Sequence, residues 1–129
     1  MKSDDLITAH ALRPHPFEGY WRETAHQSGQ SREGLQLLMA TDEAGWHQIR
    51  ADVTFTLLEG GPIAMSLSGD GKTATGYHLT APGQSFAIGP DIYRAIACLG
   101  AYALVSVSFS PDISISDRDL MPDDWYPKP

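Results

Sequence analysis

Trp46 and His47 open the stretch with the clearest chemical potential, residues 45–62. A polar break at Arg50-Ala51-Asp52 follows, then the run Val53-Thr54-Phe55-Thr56-Leu57-Leu58, then a Gly60-Gly61-Pro62 turn. An imidazole at the head of such a segment serves as a metal ligand, as a proton-transfer group with a pKa near neutrality, or as a satisfied core side chain. The residue type alone leaves all three open. Asp52 is near enough in sequence to orient His47, although strand parity can turn it elsewhere. Residues 17–24 hold the second candidate. Their alternation puts Tyr20, Arg22 and Thr24 on one face and Trp21 and Glu23 on the other. One of Arg22 and Glu23 is therefore drawn inward, and a buried charge needs a partner. That partner is either a structural counter-ion or, for Arg22, an anionic substrate. His10 and His15, at the corner made by Pro14 and Pro16, read as surface or turn histidines. Asp117, Asp119, Asp123 and Asp124 lack the glycine and glutamate of a calcium loop and read as a solvated tail. No Ser-His-Asp set, phosphate-binding glycine loop or nucleotide fingerprint is present.

Composition narrows the setting. The 129 residues suit one domain, 1–129, with 42% apolar and 19% charged residues, a globular balance. A net charge of −7 disfavours nucleic acid, whose phosphates are bound by Lys and Arg. No apolar run approaches the roughly 20 residues of a membrane span, so no membrane partner is expected. The first residues, Met1-Lys2-Ser3-Asp4-Asp5, lack the apolar core of a signal peptide, and a cytoplasmic location is expected. The lone Cys98 excludes an intramolecular disulfide or a cysteine-based zinc cluster and reads as a buried, inert thiol.

The elements that must position these groups are mostly strands. Residues 4–12 predict a short helix capped by Ser3 or Asp4, with Leu6, Ala9 and Leu12 facing inward, and Pro14 and Pro16 end it. Strands are expected over residues 17–24, 35–40, 46–50, 53–58, 63–67, 73–79, 84–88, 92–99 and 102–109. The polar residues 25–33 are expected as an exposed, mobile loop. Asp70-Gly71 marks a hairpin turn. Val105, Val107 and Phe109 alternate with Ser106, Ser108 and Ser110, the pattern of a half-buried strand. About nine or ten short strands at this spacing predict an all-β sandwich or barrel. Trp125 and Tyr126 suggest that the tail packs back on the body or on a partner chain.

The residues 14–24, Pro-His-Pro-Phe-Glu-Gly-Tyr-Trp-Arg-Glu-Thr, resemble the opening motif of a cupin-superfamily group, the domain of unknown function 985. Trp46-His47 with Asp52, the Gly60-Gly61-Pro62 turn, the segment from Gly83-Gln84 and Tyr102-Ala103-Leu104-Val105 follow in the family's order. The similarity runs from about residue 6 to 120. It implies an all-β double-stranded β-helix, a jelly-roll barrel enclosing a pocket, and a homodimer. The general cupin metal motifs fall on His47, Ile49 and Val53, and then on Arg94. Of these four positions only His47 carries a ligand side chain, and a divalent ion needs three or four. The resemblance therefore implies a metal-free member with no cofactor.

Within such a barrel, alternation from His47 turns Ile49, Val53, Phe55 and Leu57 inward, and Arg94 with Ile92 shares that face. The expected pocket is apolar, with Ile49, Val53 and Phe55 as walls and Arg22 and Arg94 binding a carboxylate or phosphate. In one reading His47 is a general base and Tyr20 or Tyr93 the acid. The chain would then isomerise, epimerise, cleave or cyclise a small anionic metabolite. In a second, it binds a small molecule without turnover, as a sensor or carrier. In a third, His47 is a core histidine of a degenerate barrel.

Overall fold

The computed structural model describes residues 2–15, 19–40, 42–111, 113 and 118–121. Helix α1 (Lys2–Ala9) is followed by β1 (Arg13–Pro14), β2 (Tyr20–Gln27), β3 (Ser31–Met39), β4 (Glu43–Gln48) and β5 (Asp52–Gly60). Then come β6 (Ile63–Ser68), β7 (Thr75–Leu79), β8 (Ser85–Ile88), β9 (Tyr93–Cys98), β10 (Tyr102–Ser110) and β11 (Asp119–Leu120). Every pairing is antiparallel. One sheet runs β1-β2-β3-β10-β5-β8 and the other β11-β4-β9-β6-β7. Strands adjacent in sequence repeatedly fall in opposite sheets, as in a jelly roll. The all-β fold and the short N-terminal helix agree with the sequence reading. No described helix is long and apolar enough to cross a membrane.

Period-two alternation builds the core. On β5 the inward Val53, Phe55 and Leu57 are buried, and on β10 Val105, Val107 and Phe109. Ile63 and Met65 of β6 and Ile96 and Cys98 of β9 face them from the second sheet. The outer face of the first sheet is covered as well. Leu6 and Leu12 from α1 and its exit pack on Leu37 and Leu104, with Tyr20, Leu35, Met39 and Tyr102 around them. This outer cluster explains why β3 and β10 are apolar on both faces near one end. Ala9, expected inward, is exposed.

Two sequence expectations change. Residues 25–33 are not a loop: β2 runs to Gln27, β3 starts at Ser31, and only residues 28–30 turn. The six residues of β2 from Arg22 to Gln27 are all exposed, so that ribbon has no apolar face for alternation to reveal. β11 was not expected, because its two residues carry no periodicity and form only by pairing with β4. Trp125 and Tyr126 lie outside the described residues.

Candidate functional site

His47 sits near the end of β4, opposite Arg94 of β9 on one side and Leu120 of β11 on the other. It is only 1% exposed. Its Nδ1 lies 2.7 Å from the Gly45 carbonyl oxygen. A carbonyl only accepts, so Nδ1 carries the proton and Nε2 of the neutral ring keeps its lone pair. The His47 pKa falls to about 3, first through burial, then through the charge of Arg118, with Arg94 adding a smaller push and the Gly45 bond opposing it. At neutral pH the ring is uncharged.

His47 lines a cavity between the sheets. His15, Gln36, His47 and Arg118 are its polar lining, and Trp21, Leu38, Phe55, Ile96 and Phe109 are among its apolar walls. The volume open to the centre of a water molecule is about 20 Å³, and the whole cleft with its solvent-facing mouth spans about 520 Å³. The inner part therefore has room for one or two waters at a time.

Local structure explains each position. His15 follows β1, and its backbone N–H bonds the Gly19 carbonyl at 2.9 Å, which closes the proline corner. The His15 ring stands edge-on to Trp21, with centroids 6.0 Å apart. Its pKa is lowered to about 4, by burial and then by Arg118. Trp21 lies over Gly34, where an added Cβ would stand 2.2 Å from Cη2 of the indole. The missing side chain at Gly34 is the space that the indole occupies. Gln36 pairs across the sheet with Trp21 and with Val105 and is buried on the inner face. Arg118 comes from the C-terminal segment, directly before β11. Met121 N–H to the Trp46 carbonyl at 3.0 Å holds that segment to β4. Among the described residues no carboxylate lines the cavity. Among the described lining residues the charge is that of one guanidinium, beside two uncharged imidazoles.

Residues 4–121 match the family described as Cupin superfamily (DUF985). The chain belongs to that family. Among solved structures, this cupin resembles a hypothetical protein from Leishmania major, with a TM-score of 0.80, 16% identity, and coverage of 95% of this chain and 88% of the other. A protein from Shewanella oneidensis has a TM-score of 0.77 and 20% identity over 92% of this chain and 83% of its own. The DMSP lyase DddQ from Ruegeria pomeroyi has a TM-score of 0.69 and 15% identity over 92% and 66%. At such identities the likeness concerns the fold. No curated protein matches the sequence.

The structure distributes the sequence-predicted residues unevenly. His47, Ile49 and Phe55 line the cavity of this cupin. Val53 is fully buried in the core beside Phe55 but outside the lining. Arg94 is also fully buried, but its side chain turns back. Nε donates to the Ile92 carbonyl at 3.1 Å and Nη2 to the Gly89 carbonyl at 3.0 Å, while Nη1 has no hydrogen-bond partner. Burial, then Arg118, lowers the Arg94 pKa to about 10. Arg22 is exposed, because Trp21 takes the inward place on β2. Glu23 pairs with Arg32, whose Nε also donates to the Ile113 carbonyl at 2.9 Å. Tyr20 lies in the outer cluster beneath α1 and cannot reach the cavity through the sheet. Tyr93 is half-buried, opposite Ser68, and is not part of the lining.

The cupin metal positions do not fit an ion. Ile49 and Val53 present hydrocarbon, and Arg94 is a buried guanidinium bound to backbone carbonyls. Among the described residues no group of three or more His, Cys, Asp or Glu side chains converges elsewhere. Sequence reasoning missed Arg118, Gln36 and the inward role of His15. For His15 a signal existed: its Pro-His-Pro corner lies beside Trp21, whose size already favours the core. For Arg118 there was none, since its position depends on long-range pairing.

Proposed function

We propose that this cupin takes a small anionic molecule into the cavity, holds the anion on Arg118 and transfers a proton on it with His47, without a metal at the superfamily's ligand positions. The observation that carries the reading is the convergence of one guanidinium and two uncharged imidazoles in an apolar cavity with no carboxylate among its described lining residues. A guanidinium offers an anion a fork of donors. His47 Nε2 offers the lone pair of a general base. An isomerisation balances with this base alone, because the proton taken from one carbon returns to another. His15 replaces Tyr20 and Tyr93 as the second proton carrier, since it alone of the three lines the cavity. Bound anion opposes the field of Arg118, which lowers both histidine pKa values, and so makes His47 a stronger base at the moment it is needed.

Binding without turnover is the second reading, and the low pKa of His47 favours it, because a group that protonates near pH 3 is a weak base at neutrality. A panel of small anions, followed by thermal shift and by exchange of ligand C–H for deuterium in D₂O, separates the two. Catalysis predicts exchange that His47→Gln abolishes while binding persists. Binding that Arg118→Gln weakens, with no exchange for any bound anion, assigns the cavity to a sensor or carrier. If neither substitution changes binding or exchange, the cavity is not the functional site.

A further inference from the structure

β4 reaches His47 through an irregularity in its pairing with β9. Ala44 stands opposite Ile96 and His47 opposite Arg94, so Gly45 and Trp46 together face the one residue Ala95. Two residues against one make a β-bulge, which bends a strand and re-aims the side chains beyond it. Regular pairing would bring Trp46 opposite Arg94 and turn His47 to the outer face. With the extra residue, His47 takes the place opposite Arg94, on the buried face that Ile96 and Arg94 share, and is 1% exposed. The ladder to β9 is broken at Gly45, and the Gly45 carbonyl is the group that Nδ1 of His47 meets at 2.7 Å. The other bulged residue holds the opposite edge of the strand: the Trp46 carbonyl accepts the Met121 N–H at 3.0 Å, next to β11. Gly45 is exposed, and an added Cβ there would meet nothing within 4 Å, so what the position supplies is its carbonyl and not a need for room.

Resting on the reading of His47 as the base, we infer that this bulge is the positioning element of the site and Gly45 its positioning residue. The bulge turns the imidazole inward, and the Gly45 carbonyl keeps the proton on Nδ1, so that Nε2 alone accepts a proton from a ligand. In a neutral imidazole one nitrogen donates and the other accepts, and the partner of one nitrogen selects the role of the other. Asp52, the orienting group that the sequence suggested, is exposed on β5, and the main chain takes that role instead. A carbonyl orients the ring without the negative charge by which a carboxylate would favour the imidazolium.

The test reads the ring nitrogens of His47 by NMR, in the full chain labelled with nitrogen-15 histidine, at neutral pH and without ligand. The His47 signals are those that His47→Gln removes. The wild type is expected to show Nδ1 protonated and Nε2 bare. Gly45→Ala keeps the carbonyl and has room for the methyl group, so it is expected to keep that tautomer. Deleting Gly45 restores regular pairing with His47 still opposite Arg94 and Trp46 still directly before it. That variant is expected to lose the single tautomer, with Nε2 gaining proton occupancy, while the unfolding midpoint and the other histidine signals show it to be folded. Nε2 protonated in the wild type, a Gly45→Ala variant that loses the Nδ1 proton, or a folded deletion variant that keeps it would each overturn the inference. The first two results do not need the deletion, so the inference can be refuted even where that variant does not fold. The base reading fails separately. Nδ1 protonated with no exchange of ligand C–H for any bound anion removes the base and leaves the role of the bulge. Exchange that His47→Gln abolishes, in a protein whose Nε2 carries the proton, removes the role of the bulge and leaves the base.

Discussion

His47 makes folding stability depend on pH in a window that the structure defines. Its pKa is 6.5 in an unfolded chain and about 3 in the folded one. Between these values the unfolded chain binds a proton that the folded chain refuses. Stability is therefore full above the unfolded value, falls as pH drops below it, and levels off only below the folded value. At pH 5 the gap from the unfolded pKa is roughly 1.5 units, and at about 1.4 kcal/mol per unit the cost is about 2 kcal/mol. His15, lowered to about 4, pushes in the same direction over much of the same range, so the wild-type slope alone cannot isolate His47. The comparison with His47→Gln can. Urea unfolding of both proteins at pH 8, 6.5 and 5 should show the wild type losing about 2 kcal/mol more than the variant between the ends of the series. The carboxyl of Asp70, held below its ordinary value by the backbone N–H groups of Thr73 and then Lys72, stays ionised across the pH 5–8 series and does not enter. Parallel curves for the two proteins would refute the reasoning: His47 would then titrate alike in the folded and unfolded chains, and a buried, uncharged imidazole would be the wrong description.

Four further perturbations probe the frame around the site. Gly34→Ala puts a methyl into the indole of Trp21 and should cost about 1–3 kcal/mol, read by urea unfolding together with a changed tryptophan emission. Leu37→Ala empties the centre of the outer cluster, where Leu37 is fully buried, and should cost about 2–5 kcal/mol by the same assay. Arg50→Ala breaks an ion pair with Asp119 whose side chains are 80% and 56% exposed, and should change stability by less than about 0.5 kcal/mol. Cys98 is buried, and burial raises its thiol pKa, so a thiol reagent should modify it in urea and leave the native protein untouched over the same minutes.

Much of the fold was legible because it rests on alternation. Val105, Val107 and Phe109 point inward as their spacing with serines requires, and the Asp70-Gly71 turn closes β6 onto β7. Asp70 does so through its Oδ1, which accepts the backbone N–H groups of Lys72 and Thr73 at 2.8 and 3.0 Å. Parity alone could not say which face of residues 20–24 turns inward. Size could have: an indole buries far more apolar surface than an arginine stem, so Trp21 wins the core and Arg22 is left outside. The ribbon at residues 25–33 was misread for the opposite reason. Its strands are held by pairing, such as His26 with Arg32, and not by any buried face.

The site itself was half legible, and the missing half shows how it is built. Alternation and motif spacing located His47, Ile49 and Phe55, because those residues belong to strands whose inward face is fixed by the core. They also drew attention to Arg94, which faces inward by parity but has its guanidinium captured by the turn it grew from. The charge that governs the cavity comes instead from Arg118, on a segment joined to the barrel by two residues of β11 and by the Met121–Trp46 bond. Leu120 in that strand is 58% exposed, so hydrophobic burial contributes little to holding it there. Arg118 thus adjoins a short stretch of backbone pairing against β4, whose own His47 lines the same cavity. The base is carried by β4 and the cation by the residue directly before β11, the strand beside it at the sheet edge. Their relative position depends on the pairing of Leu120 with His47 and of Asp119 with Gln48. A one-residue slip in that pairing would turn Arg118 to the opposite face and leave the imidazoles without their cation.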